Sequence, residues 1–154
     1  MAASPSSREA ERLEFSVRIP FVDLLGFRLT RMDGGEAEIT YEPVPEHLNS
    51  FDVVHGGASM TLLDVVMAHA ARSVQNDMGC ITIEMKTSFM RAARGPLVAR
   101  GKLLHRTATL AFTEASVFDA AGKLCSHATG TFKFVPRLPT GPGSVNPLNR
   151  ISTD

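Results

Sequence analysis

The sequence predicts an α+β domain in which an antiparallel sheet wraps around one long central helix. Three observations carry this. Only one stretch, Gly57 to about Gln75, is long and apolar enough to be a buried helix. Two strand-like runs precede it and four follow it. The runs are joined by short turns, as antiparallel neighbours allow.

At 154 residues the chain suffices for one domain with a real core and hardly for two. Residues 1–14 are polar and small and read as a flexible segment, 15–135 as the domain. Residues 136–154, rich in Pro, Gly, Ser and Asn, read as a flexible tail. Within the domain, Pro20 to Phe27 ("PFVDLLGF") is apolar and suits a short helical turn. "FRLTRMDGGEAEITYEP" reads as a hairpin. Phe27, Leu29 and Arg31 alternate with Arg28, Thr30 and Met32, and Asp33-Gly34-Gly35 supplies the turn. Pro43 and Pro45 end the return strand. "PEHLNS" is then a loop or a single turn.

The apolar residues from Ala58 to Val74 cover nearly the whole helical circumference, which predicts a helix buried all round. Four strands are then expected over Cys80 to Met90, Leu97 to His105, Thr109 to Asp119 and Lys123 to Val135. A sheet wrapped around the helix satisfies its all-round apolar surface.

The totals exclude several function classes. Lys plus Arg number 16 and Asp plus Glu number 16, so no basic field is available to hold nucleic acid or an anionic membrane. With 44% hydrophobic and 21% charged residues, the chain reads as an ordinary soluble globular protein. "MAASPSSREAERLE" has no apolar core of a secretory signal, and no apolar run approaches the ~20 residues of a membrane helix. A cytoplasmic location is expected. Cys80 and Cys125 lack metal-ligand spacing and are expected as reduced, buried thiols. His47, His55, His69, His105 and His127 form no zinc or facial-triad pattern, so no metal is expected. No G-x-S-x-G elbow surrounds any serine, and "GGASMT" lacks the Walker lysine.

One carboxylate, Asp64, sits inside the apolar helix. Its helical neighbours Met60, Thr61, Met67 and Ala68 include no cation. A buried unpaired carboxylate is costly. Asp64 therefore either reaches a solvent-exposed sliver of the helix or faces a cleft and works there as base or nucleophile. The scarcity of other polar residues on the helix favours the second reading. His55-Gly56-Gly57 stands where the helix begins. The first amides of a helix point outward with no intrahelical partner, and glycines there let a ligand approach the backbone. Such a place holds an anion or polarises a carbonyl. Met60, Leu63 and Met67 are the helix residues whose packing would shape an adaptable apolar pocket.

Taken together, Asn49-x5-His55-Gly56-Gly57-x6-Asp64 resembles the acyl-CoA thioesterases of the hotdog superfamily, in particular the phenylacetate-pathway (PaaI-type) branch. "CITIEMKTSFMRAARG" and "TLAFTEASVFDAAGKLCSHATGTFKF" look like that family's strand after the helix and its last hairpin. The resemblance spans roughly Leu24 to Val135 and implies a hotdog fold. It implies that Asp64 is the catalytic acid residue, as general base or nucleophile. The Gly56 N–H would polarise the thioester carbonyl, Asn49 orient substrate or water, and Thr82 help position water. His55, Gly57, Met60, Leu63 and Met67 are expected to line the substrate site. Asp52 stands where many relatives carry Gly; if that position needs φ > 0, Asp tolerates it better than most residues. Glu84 and Lys86 share a face with Thr82 by period two and receive no catalytic role.

Gly56 and Asp64 are eight residues apart on one helix, so ~12 Å separates them along its axis. A carbonyl and its attacking group must come within about 3–3.5 Å. Two antiparallel helices from two chains could supply both groups, which agrees with the family's sites between subunits. A homodimer is expected, paired into a tetramer. The expected reaction is hydrolysis of an acyl- or aryl-CoA thioester with no cofactor beyond the CoA of the substrate. Arg91, Arg94 and Arg106 are candidates to meet its phosphates. The rival readings are a non-catalytic acyl-CoA-binding hotdog module, a hotdog hydratase or dehydratase, and a structural oligomer with a degenerate site. The acyl chain stays open.

Overall fold

The predicted hairpin forms as β1 (Arg28–Asp33) and β2 (Glu36–Tyr41) in a computed structural model that describes residues 13–136. Gly34 and Gly35 both take positive φ in its turn, a conformation glycine adopts without steric cost. The short α1 (Pro20–Leu25) precedes the hairpin, with Gly26 closing it in the left-handed region. A single 3₁₀ turn, Pro45–His47, occupies the "PEHLNS" stretch. Then come α2 (Gly56–Arg72), β3 (Gly79–Phe89), β4 (Leu97–Arg106), β5 (Leu110–Asp119) and β6 (Leu124–Val135). The segments expected to be flexible lie outside the described residues except for Leu13, Glu14 and Pro136. Leu13 forms a bridge to Leu29 on β1.

All strand pairs are antiparallel, and the six-stranded sheet has the order β1-β2-β4-β5-β6-β3. It wraps α2, whose Leu62, Leu63, Val66, Met67, Ala70 and Ala71 are wholly enclosed. They pack against Ile39, Ala99, Val117, Ala128 and Phe132 from four different strands. This is the hotdog architecture. The helix lies unusually close to β4: a Cβ placed on Gly101 would stand 2.6 Å from the Val66 carbonyl oxygen. The close approach requires glycine there. No described helix is long and apolar enough to cross a membrane.

The structure departs from the sequence expectation in three instructive places. The strict alternation expected for β1 puts Arg31 in phase with Leu29. The β1–β2 register instead shifts between Leu29 and Arg31, so Met32 packs on the core while Arg31 reaches Glu36 at 2.6 Å. A second shift, between Thr82 and Glu84 on β3, changes the face of every later residue. Thr82 pairs with the buried Phe132 and faces the helix. Glu84 pairs with Thr131, accepts its hydroxyl hydrogen bond at 2.8 Å, and faces outward. Period two across an uninterrupted strand would have put Glu84 and Lys86 beside Thr82; the bulge removes them from that face.

The third departure concerns α2. It is not buried all round within one chain. Gly57, Met60, Thr61, Asp64 and Ala68 form a stripe that stays exposed or half-buried. Residues at these spacings share one helix face. Asp64 lies in the middle of the stripe.

Candidate active site

The entrance to α2 is built by the loop before it. Asn49 closes that loop twice. Its backbone N–H donates to the Val53 carbonyl at 2.8 Å, and its side-chain Oδ1 accepts from the Phe51 and Val53 amides at 2.9 and 3.4 Å. Its amide nitrogen donates to nothing among the described residues and is free for a ligand. Asp52 takes φ 57° within this loop and is the one non-glycine residue at positive φ among the described residues. The position that many hotdog thioesterases fill with Gly thus demands the left-handed conformation here, and Asp supplies it at modest cost.

His55 is the N-cap of α2. Its Nδ1 accepts from the Gly57 N–H at 2.8 Å. His55 thus shapes the helix entrance, its imidazole taking the place usually held by Ser or Asp. The Ala58 and Ser59 amides go to the His55 carbonyl at 2.9 and 3.2 Å. The Gly56 N–H alone in this first turn has no acceptor among the described residues. It sits beside a surface cleft of about 350 Å³. Asn49, Gly56, Phe89, Arg91 and Ser126 are among the residues lining that cleft. The Phe89 ring closes one side: a Cβ on Gly56 would come within 3.4 Å of its Cζ.

Asp64 does not line this cleft. Two turns further along α2, it accepts a hydrogen bond from Thr82 Oγ1 at 2.5 Å. Burial pushes its carboxyl above the ordinary aspartate range, and the Thr82 hydroxyl partly opposes that shift. No cation pairs with it among the described residues. A half-buried carboxylate with a raised pKa and one orienting hydroxyl can take up a proton from a bound water.

Much of the chain matches proteins of one kind. A model of the thioesterase superfamily matches residues 51–126, which include Gly56, Asp64, Thr82 and Ser126. A protein of Archaeoglobus fulgidus, provisionally named as an esterase, is 34% identical over 114 residues, 71% of this chain and 71% of that one. The chain belongs to the thioesterase superfamily. Human acyl-coenzyme A thioesterase 13 is 28% identical over 89 residues, 56% of this chain and 64% of that protein. Among solved structures, a conserved protein of Pseudomonas aeruginosa superposes with TM-score 0.73 at 28% identity, covering 77% of this chain and 95% of that one. The PaaI protein of the Escherichia coli phenylacetic acid degradation operon shares the fold, with TM-score 0.69 at 20% identity over 78% of this chain and 85% of that one.

Within this thioesterase, the sequence-nominated residues separate into groups. Gly56 and Asn49 meet at the cleft. Asp64 and Thr82 meet on the open stripe of α2. Met60 is partly exposed on that same stripe, while Leu63 and Met67 are enclosed in the core. The Gly57 amide is taken by His55. Arg91 lines the cleft. Arg106 is committed to Gln75 Oε1 at 3.2 Å and to the Phe134 ring at 4.5 Å. Both cysteines are free thiols, and burial pushes Cys80 up to about 11. Sequence reasoning missed Phe89 and Ser126 at the cleft. Nothing local marks them; only the pairing of Phe89 with Ser126 across β3 and β6 brings them there.

Proposed function

We propose that this thioesterase hydrolyses an acyl- or aryl-CoA thioester to the free acid and CoA, at sites built by two copies of the chain. Thioester hydrolysis follows from the family. The division of labour rests on one observation: the unpartnered Gly56 N–H and the Asp64 carboxylate lie on the same helix but in different surroundings. Their ~12 Å axial separation is too long for one thioester. A second helix running antiparallel would put one chain's Gly56 opposite the other chain's Asp64, giving two equivalent sites by the two-fold.

Two features of the single chain support that assembly. The α2 stripe Gly57, Met60, Thr61, Asp64 and Ala68 is left open although largely apolar. β3 is a sheet edge eleven residues long, with Ile83, Phe89 and Met90 each 55% exposed along or just beyond it. A long apolar edge strand left bare is a liability that pairing removes.

In this reading the carbonyl oxygen accepts from the Gly56 N–H at the positive end of α2. Asp64, held by Thr82, takes a proton from water as the water oxygen bonds to the carbonyl carbon. The tetrahedral intermediate collapses, the C–S bond breaks, and the proton passes to the departing CoA sulfur. Direct attack by Asp64, forming an anhydride that water then opens, uses the same groups. The Asn49 amide donates to substrate or water. Arg91, which lines the cleft, and Arg94 in the same loop would meet the CoA phosphates.

The test is thiol release from phenylacetyl-, benzoyl-, hexanoyl- and palmitoyl-CoA by wild type and by Asp64→Asn. Release that falls at least ~10²-fold in the variant supports the proposal. Equal release by both removes Asp64 from the chemistry. Binding without release by the wild type would instead favour an acyl-CoA-binding module.

A further inference from the structure

One group in the cleft at the head of α2 has no part in the chemistry above. Ser126 on β6 lines that cleft and is 2% exposed. Its Oγ has no hydrogen-bond partner among the described residues. From Ser126 to Gly130, β6 keeps an unbroken register against both β3 and β5. Ser126 therefore points to the same face as Gly130, where a Cβ would meet Met67 of α2. The hydroxyl lies on the helix side of the sheet. Its cross-strand partner is Phe89, the ring that abuts Gly56.

A second orphan lies beside it. Thr87, two residues before Phe89 on the same face, also has a buried Oγ1 without a partner. A buried hydroxyl left unpaired is destabilising, and the backbone ladder already uses the carbonyls and amides around these two. A protein that keeps such a hydroxyl at the wall of an open cleft has a donor and acceptor ready for a ligand.

We propose that Ser126 is a specificity-determining residue that hydrogen-bonds an oxygen-bearing substituent, a hydroxyl or a carbonyl, on the acyl group of the substrate. The proposal rests on the thioesterase reading above, with the thioester carbonyl at Gly56. Arg91 is exposed at the mouth of the cleft, where the charged end of CoA must remain in water. Ser126 is enclosed, so the group that reaches it is the one on the far side of the carbonyl from CoA. Thr87 shares the strand face of Phe89 but does not line the cleft, so Ser126 is the orphaned hydroxyl that a ligand in the cleft can meet.

The experiment compares paired substrates. kcat/KM is measured for butanoyl-CoA against its β-hydroxy counterpart, and for phenylacetyl-CoA against its para-hydroxy counterpart. Wild type, Ser126→Ala and Ser126→Thr are run side by side, each with a melting curve. The wild type is expected to prefer the hydroxylated member of at least one pair. Ser126→Ala is expected to lower that preference on the order of 10- to 100-fold. Ser126→Thr, which keeps the hydroxyl, should retain most of it. Should Ser126→Ala not fold, Ser126→Cys replaces it with nearly the same volume. A wild type without preference in either pair, or a preference that survives loss of the hydroxyl, overturns the proposal. Absence of thiol release from all four esters would instead refute the hydrolytic reading. The same pairs are then compared by calorimetric Kd, where a preference lost in Ser126→Ala supports the subsite and an unchanged ratio overturns it.

Discussion

Thr82 and Asp64 meet between β3 and α2, the threonine hydroxyl donating to the carboxylate at 2.5 Å. The bulge at Ile83 makes this possible. It lets Thr82 face the helix and Asp64 while Glu84 faces away. The hydrogen bond stabilises the ionised carboxylate against the burial that raises its pKa.

This fixes the pH dependence of turnover. With Asp64 as the proposed base, which must be ionised to act, activity is lost as pH falls through its pKa. The acid limb of kcat/KM is expected above 3.8 because burial is the larger effect. Thr82→Val removes the opposing hydrogen bond and should move the limb further up, with a lower plateau. A pH–rate profile from pH 4 to 9 reads both; an unmoved limb in Thr82→Val would show that the hydroxyl does not tune the base.

Gly56 offers a test of the backbone donor. It is the first residue of α2, where proline is favourable and the missing N–H costs no helical hydrogen bond. His55 before it already has the extended conformation that proline demands, φ −57° and ψ 137°. Gly56→Ala adds a Cβ against Phe89 but keeps the N–H; Gly56→Pro adds the ring and removes it. Relative to Gly56→Ala, Gly56→Pro should lose about 10²–10³ in kcat. Equal kcat in the two variants would place the oxyanion elsewhere.

His69 makes the fold sensitive to acid. It is enclosed on α2, with Nδ1 donating to the Val65 carbonyl at 2.8 Å and the Phe15 ring packed edge-on. Burial lowers its pKa to about 4 from 6.5; the Val65 bond opposes this and the Arg72 charge adds to it. The unfolded chain takes up a proton below 6.5 that the folded chain refuses until about 4. The contribution is therefore complete above 6.5 and is lost as pH falls toward about 4. Urea unfolding across this window should show stability falling by up to about 1.4 kcal/mol per pH unit from this group. In His69→Leu that part of the slope should vanish, whatever the change in absolute stability.

How α2 lies on the sheet depends on Gly101. Its missing side chain admits the Val66 carbonyl, and backbone cannot step aside as a flexible side chain can. Gly101→Ala should destabilise by about 1–3 kcal/mol or more by lifting the helix that carries Gly56 and Asp64. Gly130→Ala meets side chains instead, the end of Met67 at 3.0 Å and the Phe132 ring at 3.1 Å, and should cost less than a clash with backbone at 2.6 Å. Denaturant midpoints of the two variants compare them; equal stability would contradict the close approach.

Much of this arrangement was legible in the residues. The apolar run from Ala58 to Val74 marked the helix, and Gly34-Gly35 marked the first hairpin. The spacing from Asn49 to Asp64 singled out the candidate residues, and Asp52 takes the positive φ that the sequence raised only as a condition. The bulges beside Thr30 and Ile83 were not legible. Inserting one residue into a ladder leaves composition and local pattern intact and changes only which strand atoms face each other. For the same reason period two misplaced Glu84 and Lys86. The orphaned hydroxyls of Ser126 and Thr87 were also hidden, because they become unusual only when a cleft forms beside one and the core closes over the other. The open stripe on α2 escaped notice because its residues are nearly as apolar as the buried ones, and only the sheet's edge leaves them bare.

The most direct test of a site shared between two chains is complementation. Asp64→Asn and Gly56→Pro are each purified, shown to release little thiol, then unfolded together and refolded as a mixture. If each site takes Gly56 from one chain and Asp64 from the other, every mixed dimer holds one intact site, and activity should return to about a quarter of wild type in a statistical mixture. If mixed dimers form, as mass spectrometry can verify, and no activity returns, both groups act within one chain and the account is contradicted.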